Sequence, residues 1–258
     1  MKIKYNYLIL LIFFYSNIAY ALITESNHLT KILDYINPTQ KTLVIFDIDN
    51  TIVHPPTELG SDEWFYYKVN QKKAEGFDEL TSIYYILPML FYVQFNIPLE
   101  PTEENIPELI QFLIDNNIAV MALSTRSLPI VECTLEQLHN IDISFSMPHI
   151  PTNDLVLPMH HPCFYKNGIL FSGNNDKGQA LNCFFDMMNY HPENVIFIDD
   201  KMKYLLSVEQ TLEQHTIPFT GIRYSGCDER VKNFDPAKSE EQWHALKQQK
   251  SKNYINPF

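Results

Sequence analysis

"TLVIFDIDNTIV", residues 42–53, is the stretch on which the reading of this chain turns. Leu43 to Phe46 form a short apolar run rich in β-formers, the signature of a buried strand. The run ends on Asp47, skips Ile48 and meets a second acid, Asp49, followed by Asn50 and Thr51. Burying a carboxylate is costly unless it is paired or binds a cation. A hydrophobic strand that ends on two acids therefore asks what waits for them.

Downstream the pattern alternates. Residues 102–117, "TEENIPELIQFLIDNN", read as a helix with acids near its start, as the helix dipole prefers. Residues 118–123, "IAVMAL", read as a strand that ends at Ser124-Thr125-Arg126, and 128–139 as another helix. Asn167-Gly168 between apolar flanks predicts a hairpin over 164–171. Helices over 177–190 and 201–215 frame a strand at 195–199, and a strand at 217–224 precedes a polar helix over 237–250. Upstream, 26–36 read as a short amphipathic helix closed by Asn37-Pro38. Alternating strands and helices predict an α/β fold around a mostly parallel central sheet.

Residues 55–101 interrupt this rhythm. The segment is helical in spacing and rich in aromatics, among them Trp64, Phe65, Tyr66, Tyr67, Tyr84 and Tyr85, and Pro88 predicts a kink or break. It reads as an insertion above the sheet, its aromatics forming first its own core and second a lid.

Composition bounds the function. The chain has 258 residues, 45% apolar, with 17 Phe and 15 Tyr, ample for a packed core. Lys2 and Lys4, the apolar run "LILLIFFY" at 8–15, and Ala19-Tyr20-Ala21 together predict a signal peptide over residues 1–21. An uncleaved anchor is the alternative, but a spanning helix needs about 20 apolar residues and Ser16-Asn17 interrupt this run. Cleavage after Ala21 would remove two lysines and no acids, taking the formal charge from −12 to −14. The expected protein is exported, periplasmic or secreted, with no stable membrane anchor. Its acidity argues against nonspecific binding to nucleic acid or anionic membranes.

The four cysteines, Cys133, Cys163, Cys183 and Cys227, permit disulfides or free buried thiols. No Cys-x-x-Cys pair supports a thiolate zinc cluster or thioredoxin-type chemistry. His149, His160, His161 and Cys163 invite a zinc reading, but adjacent histidines ligate poorly from a strand and no spaced ligand pair accompanies them.

In open α/β sheets, ligands bind at the carboxyl ends of the strands. Three predicted strands end there in polar residues: Asp47-x-Asp49-x-Thr51, Ser124, and Asp199-Asp200. "GNNDKGQAL" places Lys177 near a helix start. Carboxylates that meet in one pocket repel and raise each other's pKa. Mg2+ removes that conflict, because it favours carboxylates, water and substrate phosphate. Ser124 can donate a hydrogen bond to a phosphate oxygen, and Lys177 can neutralise phosphate and nucleophile. A calcium loop is disfavoured, since Ile52 stands where an EF-hand needs glycine.

This constellation resembles the haloacid dehalogenase (HAD) superfamily, in its phosphatase branch. Asp47-Ile48-Asp49-Asn50-Thr51-Ile52 matches the first family motif, "VMALSTR" the second with Ser124, Lys177 the third and "VIFIDD" the acidic fourth. The matched core runs from about Thr42 to Tyr224. The chain also resembles little-characterised secreted bacterial proteins of that superfamily. The resemblance implies a Rossmann-like three-layer core with a helical cap inserted at about 53–102. It implies Asp47 as nucleophile and Asp49 as general acid and base. Mg2+ would be held by Asp47, the Asp49 main-chain carbonyl and Asp199, with Asp200 behind them, and Ser124 and Lys177 would bind phosphate.

Lys166 and Lys201 are alternatives to Lys177. His54 either lines the entrance or sits on a surface loop. Arg126 either holds anions beside Ser124 or caps the strand end. The expected activity is a phosphomonoesterase acting on a small phosphorylated substrate. The rivals are a phosphotransferase on the same site and a non-catalytic phosphate-ligand binder. The oligomeric state is not set by these features.

Overall fold

A computed structural model of the chain describes residues 21–148, 150 and 154–254. The signal-peptide expectation covers residues 1–21, of which only Ala21 lies within this range, and His149 also lies outside it.

The elements run in chain order. Strand β1 (Ala21–Ser26) leads through a 3-10 turn (Leu29–Tyr35) into β2 (Thr42–Phe46). Then follow β3 (Val53–His54), α1 (Asp62–Ala74), α2 (Glu79–Gln94) and β4 (Glu100–Pro101). Next come α3 (Ile106–Asp115), β5 (Ala119–Ser124), a 3-10 turn (Leu128–Ile130) and α4 (Val131–His139). The strands β6 (Leu155–Leu157), β7 (Cys163–Lys166) and β8 (Ile169–Phe171) precede α5 (Lys177–Met188). The described residues end with β9 (Asn194–Asp199), α6 (Met202–Gln214), β10 (Phe219–Tyr224), α7 (Asp228–Lys232) and α8 (Pro236–Tyr254).

Eight strands form one sheet in the order β1-β10-β9-β2-β5-β8-β7-β6. The pairings from β1 across to β8 are all parallel, and only β7 runs against its neighbours. Asn167 and Gly168, with φ of 49° and 79°, make the tight turn that reverses the chain between β7 and β8. β2, β5 and β9 are buried along their whole length. Strands covered on both faces have no polar side to show, so they read as continuous apolar runs. Val44, Phe46, Val120 and Ile196 point into one core and Leu43, Ile45, Met121 and Phe197 into the other. The α/β architecture with a mostly parallel sheet is thus as the sequence predicts.

Between β2 and α3 the chain leaves the sheet. β3 and β4 pair antiparallel and close a stem, braced where the Thr102 hydroxyl donates to the Thr51 carbonyl at 2.6 Å. α1 and α2 lie beyond it. Ser61 caps α1 by accepting from the Trp64 amide, and Asp78 caps α2 by accepting from Thr81. A third small cluster, Leu59, Trp64 and Val93, joins these helices to Phe234, Trp243 and Leu246 of the C-terminal segment.

Three details depart from the sequence reading. Ala21–Ser26 is a strand, so the helical reading of 26–36 shrinks to a 3-10 turn. β1 is a sheet edge whose side chains are mostly half-buried or exposed, and it carries no apolar run to announce it. Pro88 does not break α2, which continues through it. Proline removes only the hydrogen bond to the Tyr84 carbonyl, and Tyr84 is 59% exposed, so water can take that acceptor. All four cysteines are free thiols, Cys183 partly exposed and the others buried.

Candidate active site

The carboxyl ends of β2, β5 and β9 lie side by side, because β2 is the strand between the other two. Asp47 follows β2, and its amide donates to the Ile198 carbonyl at 2.9 Å, which extends the ladder to the acid itself. Asp199 ends β9 and is fully buried. Lys177, the first residue of α5 and fully buried, reaches between them. Its Nζ donates to Asp47 Oδ1 at 2.6 Å and to Asp199 Oδ2 at 2.7 Å, and it lies over the Tyr204 ring at 4.4 Å.

Lys177 is held by how its helix is packed. Asp176 caps α5 by accepting from Gln179, and the Gly178 amide donates to Ser207 Oγ on α6 at 2.9 Å. A Cβ at Gly178 would stand 2.3 Å from the Ser207 carbonyl oxygen, so only glycine allows this approach. Lys166, the sequence alternative, pairs elsewhere, with Glu132 at 2.6 Å and Asp154 at 3.3 Å. Lys201 stands at the rim, joined to Asp62 at the start of α1.

Asp47, Asp199 and Asp200 each place a carboxylate oxygen within 4.8 Å of the others. Among the described residues this is the one group of three or more His, Cys, Asp or Glu side chains placed to hold a metal ion. Among the described residues His160, His161 and Cys163 do not form such a group, although the two histidine rings lie 4.6 Å apart. Both Asp199 oxygens are engaged, since Oδ1 accepts from the Lys201 amide at 2.7 Å. Asp200 Oδ1, by contrast, is buried without a hydrogen-bond partner among the described residues. Thr51 ties the two strand ends together: its hydroxyl donates to Asp47 Oδ2 at 3.3 Å and accepts from the Asp200 amide at 3.1 Å.

The electrostatics follow from this crowding. Burial pushes Asp47 up to about 7, with the Asp199 charge adding to the rise and Lys177 opposing it. Burial and the Asp47 charge push Asp200 up to about 8. Burial alone would lower Lys177, but Asp199 and Asp47 outweigh it and hold the ammonium above its ordinary value.

Asp49 is placed differently. Arg126 grips its carboxylate with two parallel hydrogen bonds, Nε to Oδ2 at 2.9 Å and Nη2 to Oδ1 at 2.7 Å. Burial would raise Asp49, yet this guanidinium outweighs it and holds the acid below the usual carboxylate range. Ser124 is buried at the end of β5, and its Oγ accepts from the Arg126 amide at 3.1 Å, which leaves its O–H free to donate. His54 donates from Nδ1 to the Pro55 carbonyl at 2.9 Å, at the stem.

The structure therefore joins Asp47, Lys177 and Asp199 directly, adds Asp200, and sets Asp49 and Ser124 beside them. Sequence reasoning missed the Arg126–Asp49 grip and the bridging role of Thr51. Only the adjacency of Arg126 to Ser124 hinted at the first.

Residues 25–256 match the family model described as "Protein of unknown function (DUF2608)". A Chlamydia trachomatis protein named "Putative outer membrane protein" is 31% identical over 182 residues, covering 70% of this chain and 68% of its own length. An "Uncharacterized protein" of Rickettsia bellii is 27% identical over 253 residues, covering 88% and 86%. Among solved structures, a haloacid dehalogenase-like family hydrolase from Streptococcus pneumoniae is 14% identical with a TM-score of 0.45, covering 74% of this chain and 97% of its own. Among the described residues no helix is long and apolar enough to cross a membrane. The chain belongs to the DUF2608 family.

Proposed function

We propose that this chain is an exported, Mg2+-dependent phosphohydrolase, a phosphomonoesterase that works through an aspartyl-phosphate on Asp47. One observation carries the reading: three carboxylates converge at the end of the sheet with a buried lysine bonded to two of them. The order of the four motifs along the chain supports it.

The donor set suits a hard dication. All three side chains offer oxygen, two of them are pushed up by burial and mutual repulsion, and one buried oxygen lacks a partner among the described residues. The residues that would hold Mg2+ are Asp47, the Asp49 main-chain carbonyl and the Asp199-Asp200 pair, where Asp200 offers the free oxygen. Bound there, the ion would offset charge on the carboxylates and the phosphate.

The chain's own groups would do the rest. Asp47 attacks phosphorus as the P–O bond to the leaving group breaks. That oxygen takes a proton from Asp49, which the Arg126 grip holds ionised in the unliganded chain and which must therefore take up that proton as the phosphoester binds. Water then gives a proton to Asp49 and attacks the phosphorus of the aspartyl-phosphate, which frees Asp47 and inorganic phosphate. Lys177 and the Ser124 hydroxyl hold phosphate oxygens through both steps. The helices α1 and α2 act as a cap that chooses the leaving group, and Tyr66, 48% exposed on the α1 face that carries Asp62, is its side chain at the rim. Export fits the signal peptide that the sequence predicts over 1–21 and the name of the chlamydial relative.

A panel of phosphate esters assayed with Mg2+ tests this reading. Chelation should abolish turnover and Mg2+ should restore it. Asp47→Asn should lose about 10⁴-fold or more in kcat and form no phosphoenzyme. Turnover that survives exhaustive chelation, or phosphoenzyme in Asp47→Asn, would exclude it.

A further inference from the structure

Asp49 is the end of a hydrogen-bonded chain that leads out of the site and into the inserted helices. Arg126, its side chain 4% exposed, spends Nε and Nη2 on Asp49. Its remaining nitrogen, Nη1, donates to Thr134 Oγ1 at 3.0 Å and to Gln137 Oε1 at 3.3 Å. Gln137 Nε2 in turn donates to the main-chain carbonyls of Gln94 at 2.8 Å and Ile97 at 2.9 Å. Gln94 closes α2, and Ile97 lies just beyond it.

The chemistry fixes the direction of this chain. A guanidinium can only donate, and a main-chain carbonyl can only accept. An amide is the side chain that satisfies both at once, oxygen toward Arg126 and nitrogen toward the insertion. Cys133, one turn earlier on α4, donates its thiol to the same Gln94 carbonyl at 3.4 Å. The junction also keeps Gln94 Oε1 buried without a partner among the described residues, so its hydrogen bonding is not saturated.

We propose that Gln137 is a positioning residue that couples the seating of the insertion to the orientation of Asp49 through Arg126. When α2 is seated against α4, Gln137 is held by two carbonyls and its oxygen holds Arg126. Arg126 then fixes the Asp49 carboxylate in one rotamer. When α2 lifts, the relay loses its anchor and Asp49 is no longer aimed. The inference rests on the phosphohydrolase reading for the work that Asp49 does, but the coupling itself is a property of the hydrogen bonds.

Gln137→Met keeps side-chain length and removes both ends of the relay. Three single-turnover rates separate positioning from damage. Leaving-group release from an alkyl phosphate needs Asp49 as acid, and hydrolysis of the phosphoenzyme needs it as base. Release of nitrophenolate from an aryl ester needs little help. Loss of aim should slow the first two by about tenfold, within the 10²–10⁴ that acid–base help supplies, and leave the third within about twofold. An equal loss in all three, or no change in any, overturns the proposal.

A second measurement decides the coupling even if no ester is turned over. The chain has three arginines, Arg126, Arg223 and Arg230, so the Arg126 Nε–H resonance can be assigned with Arg126→Lys. In Gln137→Met this proton should exchange with water at least about tenfold faster, as expected of a bond opened to local fluctuation. An unchanged exchange rate overturns the proposal. Absence of turnover in wild type, with faster exchange in the variant, would leave the coupling standing and remove the phosphohydrolase reading instead.

Discussion

The sheet and the inserted helices hold themselves together by different means. The sheet buries whole strands: β2, β5 and β9 show no exposed residue, and a separate apolar cluster fills each face. The insertion has only Leu59, Trp64 and Val93 at the centre of its own cluster, and it leaves Leu80, Tyr84, Tyr85 and Phe95 more than half exposed. What it lacks in core it borrows from the C-terminus. Trp64 meets Trp243 at 6.2 Å, the Leu59 amide donates to Gln242 Oε1 at 2.9 Å, and Lys68 pairs with Glu240. Arg230 donates to the Pro55 and Thr57 carbonyls at 2.7 and 2.8 Å. The clustered carboxylates thus sit on the part with the larger core, and the proposed selector sits on a part whose second half arrives from the far end of the sequence.

The sharpest way to break this contrast is to empty the smaller core. Trp64→Ala should cost about 3–5 kcal/mol, but locally. Hydrogen exchange should show α1, α2 and α8 losing protection together while β2, β5 and β9 keep theirs. Uniform loss across the sheet would mean that the two regions are one cooperative unit. Trp64 is fully buried, so its removal tests stability, and Tyr66→Ala is the change that should reorder preferences among esters of different size.

Asp199→Ala probes the other side. A strand-end acid reads from sequence as contributing little to packing, yet Asp199 and Lys177 are both fully buried and bonded to each other. Breaking a buried pair costs about 3–5 kcal/mol, and Lys177 keeps Asp47, so a loss near about 3 kcal/mol is expected by denaturant unfolding. The loss should be global, unlike that of Trp64→Ala.

Proton linkage gives a smaller and reversible effect. Asp47 and Asp200, raised to about 7 and about 8, stay protonated in the folded chain over a range where the unfolded chain has already lost those protons. Between about pH 4 and 8 the folded state binds the extra protons, so metal-free stability falls as pH rises through that window. Mg2+ bound as proposed would compete with the same protons. Its stabilisation, read as a rise in Tm, should be largest near pH 8 and fade toward pH 5. A Tm shift independent of pH would place the ion elsewhere.

Glu240→Gln should have the smallest effect. Its pair with Lys68 is only partly buried, at 11% and 28% side-chain exposure. A loss of at most about 1 kcal/mol is expected, confined to α1 and α8. An effect as large as that of Trp64→Ala would make charge, rather than the aromatic cluster, the main tie between insertion and C-terminus.

Much of this was written in local pattern. β2, β5 and β9 announce themselves because strands buried on both faces must be apolar throughout. Asn167-Gly168 announces its hairpin because both residues must take positive φ. Asp47, Asp49, Ser124, Lys177 and Asp199 stand out because each ends a strand or begins a helix with a charge or hydroxyl where the core would exclude one. The remainder depends on partners distant in sequence. Ser124 beside it hints that Arg126 holds an anion, but nothing local says that the anion is Asp49, 77 positions away. Nothing in the polar helix α8 says that Trp243 will pack on Trp64 and Tyr92. β1 stayed hidden because an edge strand can be half polar, and its parallel partner β10 lies at the opposite end of the chain.

The position of β2 has a consequence in time. Both of its neighbours come later in the chain, and Lys177 lies 130 positions beyond Asp47. Such long-range parallel pairings are slow to form, because the connecting chain must be closed before any contact rewards it. A chain that emerges amino end first holds "TLVIF" as an unpartnered sticky segment until β5 and then β9 arrive. Through that interval Asp47 has neither its lysine nor its fellow acids. The carboxylate cluster is thus among the last things the molecule makes, and ion uptake at Asp47, Asp199 and Asp200 would serve as a clock for the completion of folding.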